Sequence, residues 1–202
     1  DYIRGGKMYY RTGAIILKSR DYRDADKLVT VFTEKEGKIR AVAKGVKKPR
    51  SSLRACLQPF CHSLLYIHRG QELDLITQGR LTDFFGNIRE DLQCTLQSVY
   101  LMELLDKALW DRNPSPALFR SLLEVLESLN EHGCNPLFVR YAELNVLVNL
   151  GYRPLLDECL HCGKKQLTDG YFDLAAGGIV CRQCRENSSS YLLNGETLAL
   201  LR

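Results

Sequence analysis

Two cysteine pairs, Cys159 with Cys162 and Cys181 with Cys184, separated by 18 residues, constrain this chain more than any other feature. A gap of two residues lets both thiolates of a pair converge on one ion as a knuckle. Gly163, directly after the first pair, can take the tight turn that aims backbone amides at the sulfurs. Two knuckles complete a tetrahedral thiolate shell, which suits zinc; a redox pair or an iron–sulfur cluster is the other chemistry open to such a set. The spacing predicts one structural zinc ion held by Cys159, Cys162, Cys181 and Cys184. Four thiolates leave no open coordination position, so the ion braces the fold and offers no Lewis-acid site. His161 lies between two ligands and is an alternative donor. Cys56, Cys61, Cys94 and Cys134 lack ligand spacing and read as buried free thiols.

The front of the chain alternates with a period of two. Segments 14–18, 28–33, 38–43, 61–67 and 73–81 read as strands, with turn signals at Gly37 and at Gly70. In the third, alternation sets Lys38, Arg40 and Lys44 on one face and Ile39 and Val42 nearer the other, which calls for a bulge near Ala43. Five short strands in so short a span predict a small closed barrel, and the OB-fold is the five-stranded barrel that most often binds nucleic acid.

From Phe84 the period becomes 3.6. Leu92, Leu96, Val99, Met102 and Leu105 form one expected core stripe, and Leu118, Leu122, Val125 and Leu129 a second. Ser115 is placed to cap that second helix, with Pro116 in its first turn. A third helix carries Phe138, Tyr141, Leu144 and Val148 and stops at Gly151. Ser188, Ser189 and Ser190 read as a loop, and a further helix begins at Asn194 and Gly195 and is cut off at Arg202. The expected class is α+β: a five-stranded OB-fold barrel over 8–83, then a helical domain over 84–202 with an inserted zinc motif at 157–186. Residues 1–7 read as a leader, with Met8 as the natural start.

The net charge of +4 hides an asymmetry. Residues 1–85 hold 17 Lys and Arg against 9 Asp and Glu, residues 86–156 hold 6 against 9, and residues 157–202 hold 5 against 6. A positive excess confined to the front points to a polyanion there, or else to a solvated basic surface. Lys44, Lys47, Lys48, Arg50 and Arg54 crowd a loop rich in glycine, proline and serine. With Lys18, Arg20, Lys38 and Arg40 on the strands they form an expected cationic groove for DNA phosphates. Tyr22, Phe32, Phe60 and Tyr66 are candidates to stack bases, with core packing as the competing role.

Several classes are disfavoured. No phosphate-binding loop, nucleophile elbow or His-Glu-x-x-His motif is present. Zinc deaminases place a glutamate two residues after a ligand and use Pro-Cys-x-x-Cys. Here Cys162 and Gly163 follow His161, and no proline precedes either pair. We expect no enzyme activity. No stretch reaches the roughly 20 apolar residues of a membrane span, and a cytoplasmic, nucleoid-associated protein is expected. A zinc-containing RNA-binding module of transcription or translation is the alternative function.

The ordered segments 12–18 (TGAIILK), 26–33 (DKLVTVFT), 36–38 (EGK), 43–45 (AKG), 52–60 (SLRACLQPF) and 145–152 (NVLVNLGY), leading into the cysteine pairs, resemble the RecO family of bacterial recombination mediators. The resemblance covers nearly the whole chain from Met8. It implies an N-terminal OB-fold, a helical domain and a zinc motif on the four cysteines. It further implies binding of single- and double-stranded DNA, annealing of complementary strands, and action with RecR to load RecA onto DNA coated by single-strand-binding protein. The acidic, apolar C-terminal tail of that coating protein is an implied partner; a groove beside Arg112, Arg120 or Arg140 is the expected dock.

Overall fold

Alternating burial along the front of the chain builds five strands, seen here in a computed structural model that describes residues 9–165, 167–185 and 190–202. The expected leader, the Met8 start and the serines at 188 and 189 lie outside the described residues. Strands β1 (Tyr9–Tyr22), β2 (Asp26–Thr33), β3 (Gly37–Ala43), β4 (His62–His68) and β5 (Asp74–Asp83) close into a barrel in the order β1-β2-β3-β5-β4. All pairings are antiparallel except β3 with β5, which run parallel over Ala41–Ala43 and Asp74–Ile76. This is the OB-fold arrangement. Its interior is filled by Ala14, Ile16, Val29, Val31, Ile39, Ala41, Leu65, Ile67 and Ile76, all at most 2% exposed. A single helical turn, α1 (Leu53–Cys56), plugs one end with Leu53, Cys56 and Leu57.

Two details of the barrel differ from the sequence reading. Strand β3 pairs with β2 without interruption from Gly37 to Ala43, so no bulge lies at Ala43. Val42 consequently shares the outward face with Lys38 and Arg40, while Ile39, Ala41 and Ala43 point in. Register irregularities fall instead in β1 between Ile16 and Lys18, and between β4 and β5 at two places. Gly37 is required where it stands: its φ is +71°, and a Cβ there would collide with the backbone of Asn113.

The helices are α2 (Gly86–Glu90), α3 (Leu92–Ala108), α4 (Pro116–His132) and α5 (Pro136–Asn149). Asp91 caps α3 by accepting from the Cys94 amide at 2.8 Å, and Ser115 caps α4 by accepting from Leu118 at 3.4 Å. The α4 stripe is buried as expected. On α3 the stripe is rotated: Cys94, Ser98, Leu101, Met102 and Leu105 face inward, whereas Leu92, Leu96 and Val99 are exposed. Two apolar stripes compete on this helix, and the inward one carries the small Cys94 and Ser98, which permit close approach to α2 and β1. Helix α5 repeats the correction, burying Val139, Ala142 and Val146 while Tyr141 and Val148 are exposed.

The linker between α3 and α4 lies against the barrel. Arg112 sits at φ +57° and its amide donates to the Lys38 carbonyl at 2.8 Å. Its guanidinium pairs with Asp74, whose side chain is 0% exposed and also accepts from the Tyr10 hydroxyl and the Gly70 amide. Arg89 stacks over Phe60 and Phe84 at 3.9 and 4.0 Å while donating to the Pro59 and Phe84 carbonyls.

The chain divides into two compact units at Val146 and Leu147. The second holds a three-stranded sheet in the order β7 (Gly178–Val180), β6 (Gly170–Asp173), β8 (Tyr191–Leu193), a 3₁₀ turn at Arg182–Cys184 and α6 (Gly195–Leu201). Its core is Leu156, Leu167, Ile179, Val180, Leu198 and two of the paired cysteines, Cys159 and Cys181. No helix among the described residues is long and apolar enough to cross a membrane.

Candidate metal centre and nucleic-acid interface

The first cysteine pair sits on a turn closed by the Gly163 amide donating to the Cys159 carbonyl at 2.9 Å, with Gly163 at φ +68°. The second occupies the 3₁₀ turn, where the Cys184 amide donates to the Cys181 carbonyl at 3.1 Å. The Leu160 amide, donating to the Ile179 carbonyl at 3.0 Å, ties the first turn to β7, which leads into the second. The four sulfurs lie within 4.8 Å of one another, and those of Cys162 and Cys181 are 3.8 Å apart. A tetrahedron of zinc–sulfur bonds near 2.3 Å requires sulfurs about 3.8 Å apart. The donor set therefore fits a single tetrahedral ion. Among the described residues this is the only such group, and His161 is not in it.

The electrostatics favour thiolates at Cys159 and Cys181. Burial works to raise the Cys159 thiol, but the backbone amides of Cys162, Cys181 and His161 outweigh it and bring the group down to about 6. Cys181 is lowered, chiefly by the Cys184 amide. Cys184 is pushed up to about 12 by hydrogen bonds from its thiol to Cys181 and Cys162, so it is the proton a cation would displace. Of the other cysteines, Cys56, Cys61 and Cys94 are buried as expected, but Cys134 is exposed in the connection between α4 and α5.

The basic candidates separate into two groups. Lys18, Arg20, Lys38 and Arg40 line one concavity of about 270 Å³, but Asp106 and Asp111 line it too. Lys38 is only 9% exposed, donating to the Asp106 carbonyl at 2.6 Å with Asp111 at 3.4 Å; Arg40 reaches Asp111 at 3.2 Å. The strand cations are thus partly neutralised from within. On the loop, Lys47 pairs with Asp21 at 2.9 Å, while Lys44, Lys48, Arg50 and Arg54 are exposed without an acidic partner among the described residues. The loop is nevertheless held: Val46 is buried, the Gly45 amide donates to Asp26, and the Lys47 amide donates to Ala25. Phe32 and Phe60 are core residues and cannot stack bases. Tyr22 is half-buried and Tyr66 exposed.

Comparison with known proteins settles the lineage. A family model described as Recombination protein O N terminal matches residues 8–85, and one described as Recombination protein O C terminal matches residues 89–202. The chain belongs to the RecO family. It is 56% identical over 195 residues to DNA repair protein RecO of Syntrophomonas wolfei subsp. wolfei, covering 96% of this chain and 78% of that protein. It is 38% identical over 202 residues to DNA repair protein RecO of Desulfitobacterium hafniense strain DCB-2, covering 96% and 72%. With DNA repair protein RecO of Bacillus pumilus it shares 36% over 177 residues, covering 88% and 69%.

In this RecO-family chain the helices carry a partly apolar groove. It encloses about 280 Å³ between α3 and α5, lined by Leu96, Gln97, Tyr100, Pro136, Val139 and Arg140. Glu143 accepts from the Tyr100 hydroxyl and from Arg140, both at 2.7 Å. Arg112 does not line this groove, because Asp74 holds it. The sequence reading also missed Asp106 and Asp111 as partners of the strand cations. Nothing local in the sequence signals a contact spanning about 70 residues.

Proposed function

We propose that this RecO-family protein is a recombination mediator in bacterial DNA repair. In this reading it binds single- and double-stranded DNA, anneals complementary strands and, with RecR, helps load RecA onto DNA coated by single-strand-binding protein. Residues 8–83 supply the DNA-binding barrel, and 84–202 a helical domain with its zinc motif at 157–186. Lys44, Lys48, Arg50 and Arg54 carry the phosphate contacts, with Lys18, Arg20 and Lys47 beside them. Lys38 and Arg40 contribute less, because Asp111 occupies them. The observation that carries the reading is this run of exposed cations without acidic partners among the described residues, on a loop pinned to a closed OB barrel in a chain of RecO lineage.

The physical logic is charge neutralisation: cations between two strands remove the repulsion that keeps them apart, and no covalent step or cofactor turnover is involved. Cys159, Cys162, Cys181 and Cys184 would hold one zinc ion that braces the second unit. The apolar groove beside Arg140 would take an acidic, apolar peptide such as the tail of single-strand-binding protein by displacing Glu143 from that cation. The protein would act in the cytoplasm, at the nucleoid. The test is annealing, without ATP, of complementary strands coated with single-strand-binding protein, comparing wild type with Lys47, Lys48 and Arg50 all changed to Ala. Wild type anneals and the variant loses most of the rate in a salt-sensitive way. An inactive, zinc-replete wild type overturns the mediator reading and favours an RNA-binding module.

A further inference from the structure

The register irregularity in β1 between Ile16 and Lys18 gives that strand two employments. Its first half, Tyr9 to Ile15, pairs with β4, and the rest runs along β2 with Lys18 and Arg20. The outer face formed by the first half, β4 and β5 is therefore a different wall of the barrel from the one that carries the strand cations. Alternation turns Tyr10, Thr12 and Ala14 inward and leaves Tyr9 and Arg11 outside. Register then sets Arg11 beside Tyr66 and Tyr66 beside Gln78, with Tyr9 beside His68 and Leu64 beside Arg80.

The side chains on this wall have one chemistry. Tyr9 is 62% and Tyr66 39% exposed, and the Tyr9 ring meets the His68 imidazole edge to face at 4.5 Å. A shallow groove of about 510 Å³ runs past Tyr9, Arg11, Tyr66, Thr77 and Gln78, and among the described residues no carboxylate lines it. Arg11 and Arg80 are exposed and have neither an ion pair nor a hydrogen bond among the described residues. This contrasts with the concavity around Lys38 and Arg40, where Asp111 supplies the counter-charge and the Asp106 carbonyl accepts from Lys38. Residues 66 and 68 of one strand are about 6.8 Å apart, one pleat repeat. That is twice the roughly 3.4 Å step of a stacked nucleic-acid strand, which leaves room for one unstacked base per ring.

Exposed aromatic rings flanked by unpaired guanidinium groups, with amide and hydroxyl groups between, are what an unpaired strand recognises: π faces for its bases and cations for its phosphates. A duplex hides its base faces and has no use for the rings. We infer that the outer face of β1, β4 and β5 binds single-stranded nucleic acid, stacking bases on Tyr66 and on the Tyr9–His68 pair, with Arg11 and Arg80 each neutralising a phosphate. The inference rests on the DNA-binding reading above and adds to it a surface that requires unpaired bases. The basic loop takes phosphates from any strand; this wall makes the protein prefer a single one.

The experiment measures anisotropy of fluorescein-labelled oligo(dT) and of a labelled duplex of equal length, with full-length protein. Tyr66→Ala weakens oligo(dT) binding about 5- to 150-fold, the range that loss of one base stack produces, and changes duplex binding less than about twofold. Tyr66→Phe keeps the π face and binds oligo(dT) within about twofold of wild type, which separates stacking from a folding defect. Changing Arg11 and Arg80 together to Ala lowers the log–log salt slope on oligo(dT) by about 1.4. Unchanged oligo(dT) binding by Tyr66→Ala, or an equal loss on both DNAs, overturns this inference and leaves the DNA-binding reading standing. A wild type that binds neither DNA overturns both.

Discussion

Replacing Arg112 by Ala isolates what fastens the linker between α3 and α4 to the barrel. The substitution leaves Asp74, fully buried, without its cation. Removing one partner of a buried pair costs about 3–5 kcal/mol where nothing else compensates. Here two donors remain on the carboxylate, the Tyr10 hydroxyl at 2.9 Å and the Gly70 amide at 3.0 Å, and Arg112 itself is 39% exposed, so water reaches the vacated position. The expected loss is therefore smaller, about 2 kcal/mol. For a unit of this size it lowers Tm by about 4–8 °C, read by far-UV circular dichroism. Asp74→Asn combined with Arg112→Ala leaves no unpaired charge, so the double variant should be less destabilised than the sum of the singles by at least about 1 kcal/mol. Arg112→Gly should recover about 1 kcal/mol of the Ala loss, because the left-handed φ of +57° suits glycine. A Tm for Arg112→Ala within about 1 °C of wild type, or strict additivity in the cycle, would show that the pair does not fasten the linker.

The metal centre should confine its effects to the second unit. Chelation, or Cys159→Ser, is expected to release one zinc ion per chain and open residues 147–202 to protease and hydrogen exchange while the barrel amides stay protected; barrel amides exchanging in step would refute this. Cys134 should be the fast-alkylating thiol of the zinc-loaded protein, because Cys56, Cys61 and Cys94 are buried; peptide mapping after a short iodoacetamide pulse reads this, and early label at Cys61 would contradict it. His62 is held below its ordinary value by burial, only partly offset by the Asp83 and Glu34 carboxylates. The unfolded chain therefore takes up a proton first as pH falls below about 6.5, and stability declines from there downward, with no contribution above it. His62→Gln should flatten the urea midpoint between about pH 7 and about pH 5, and an unchanged slope counts against the assignment.

How far the sequence could be read depended on how local each determinant was. The barrel was legible because period-two burial is written into consecutive residues, and the cysteine cluster because its spacing is local within each pair. The inward face of α3 was not, since Leu92, Leu96 and Val99 are as apolar as Leu101 and Leu105, and only the small Cys94 and Ser98 favour the observed rotation. The sheet of β6, β7 and β8 escaped the reading because its strands are three or four residues long and lie between the ligands or just after them. Among the site residues, Lys38 and Arg40 read correctly as an outward cationic pair, but their neutralisation by Asp111 depends on a linker conformation set by Arg112. Arg11 and Arg80 were overlooked because neither stands in a charge cluster; their significance lies in cross-strand neighbours such as Tyr66.

Asp111 occupies both strand cations, 3.4 Å from Lys38 and 3.2 Å from Arg40, so an anion approaching them must compete with a carboxylate. A polyanion that displaces it from Lys38 and Arg40 sheds its own condensed cations as at any basic residue, but must first break the Asp111 contacts, so the two add less affinity than two free cations would. The salt dependence of binding still counts each phosphate neutralised, while the affinity falls short of what the number of basic residues in contact suggests. The linker between α3 and α4 thus acts as a built-in counter-ion: through Asp111 it offsets part of the positive charge of one barrel wall until a ligand competes for it.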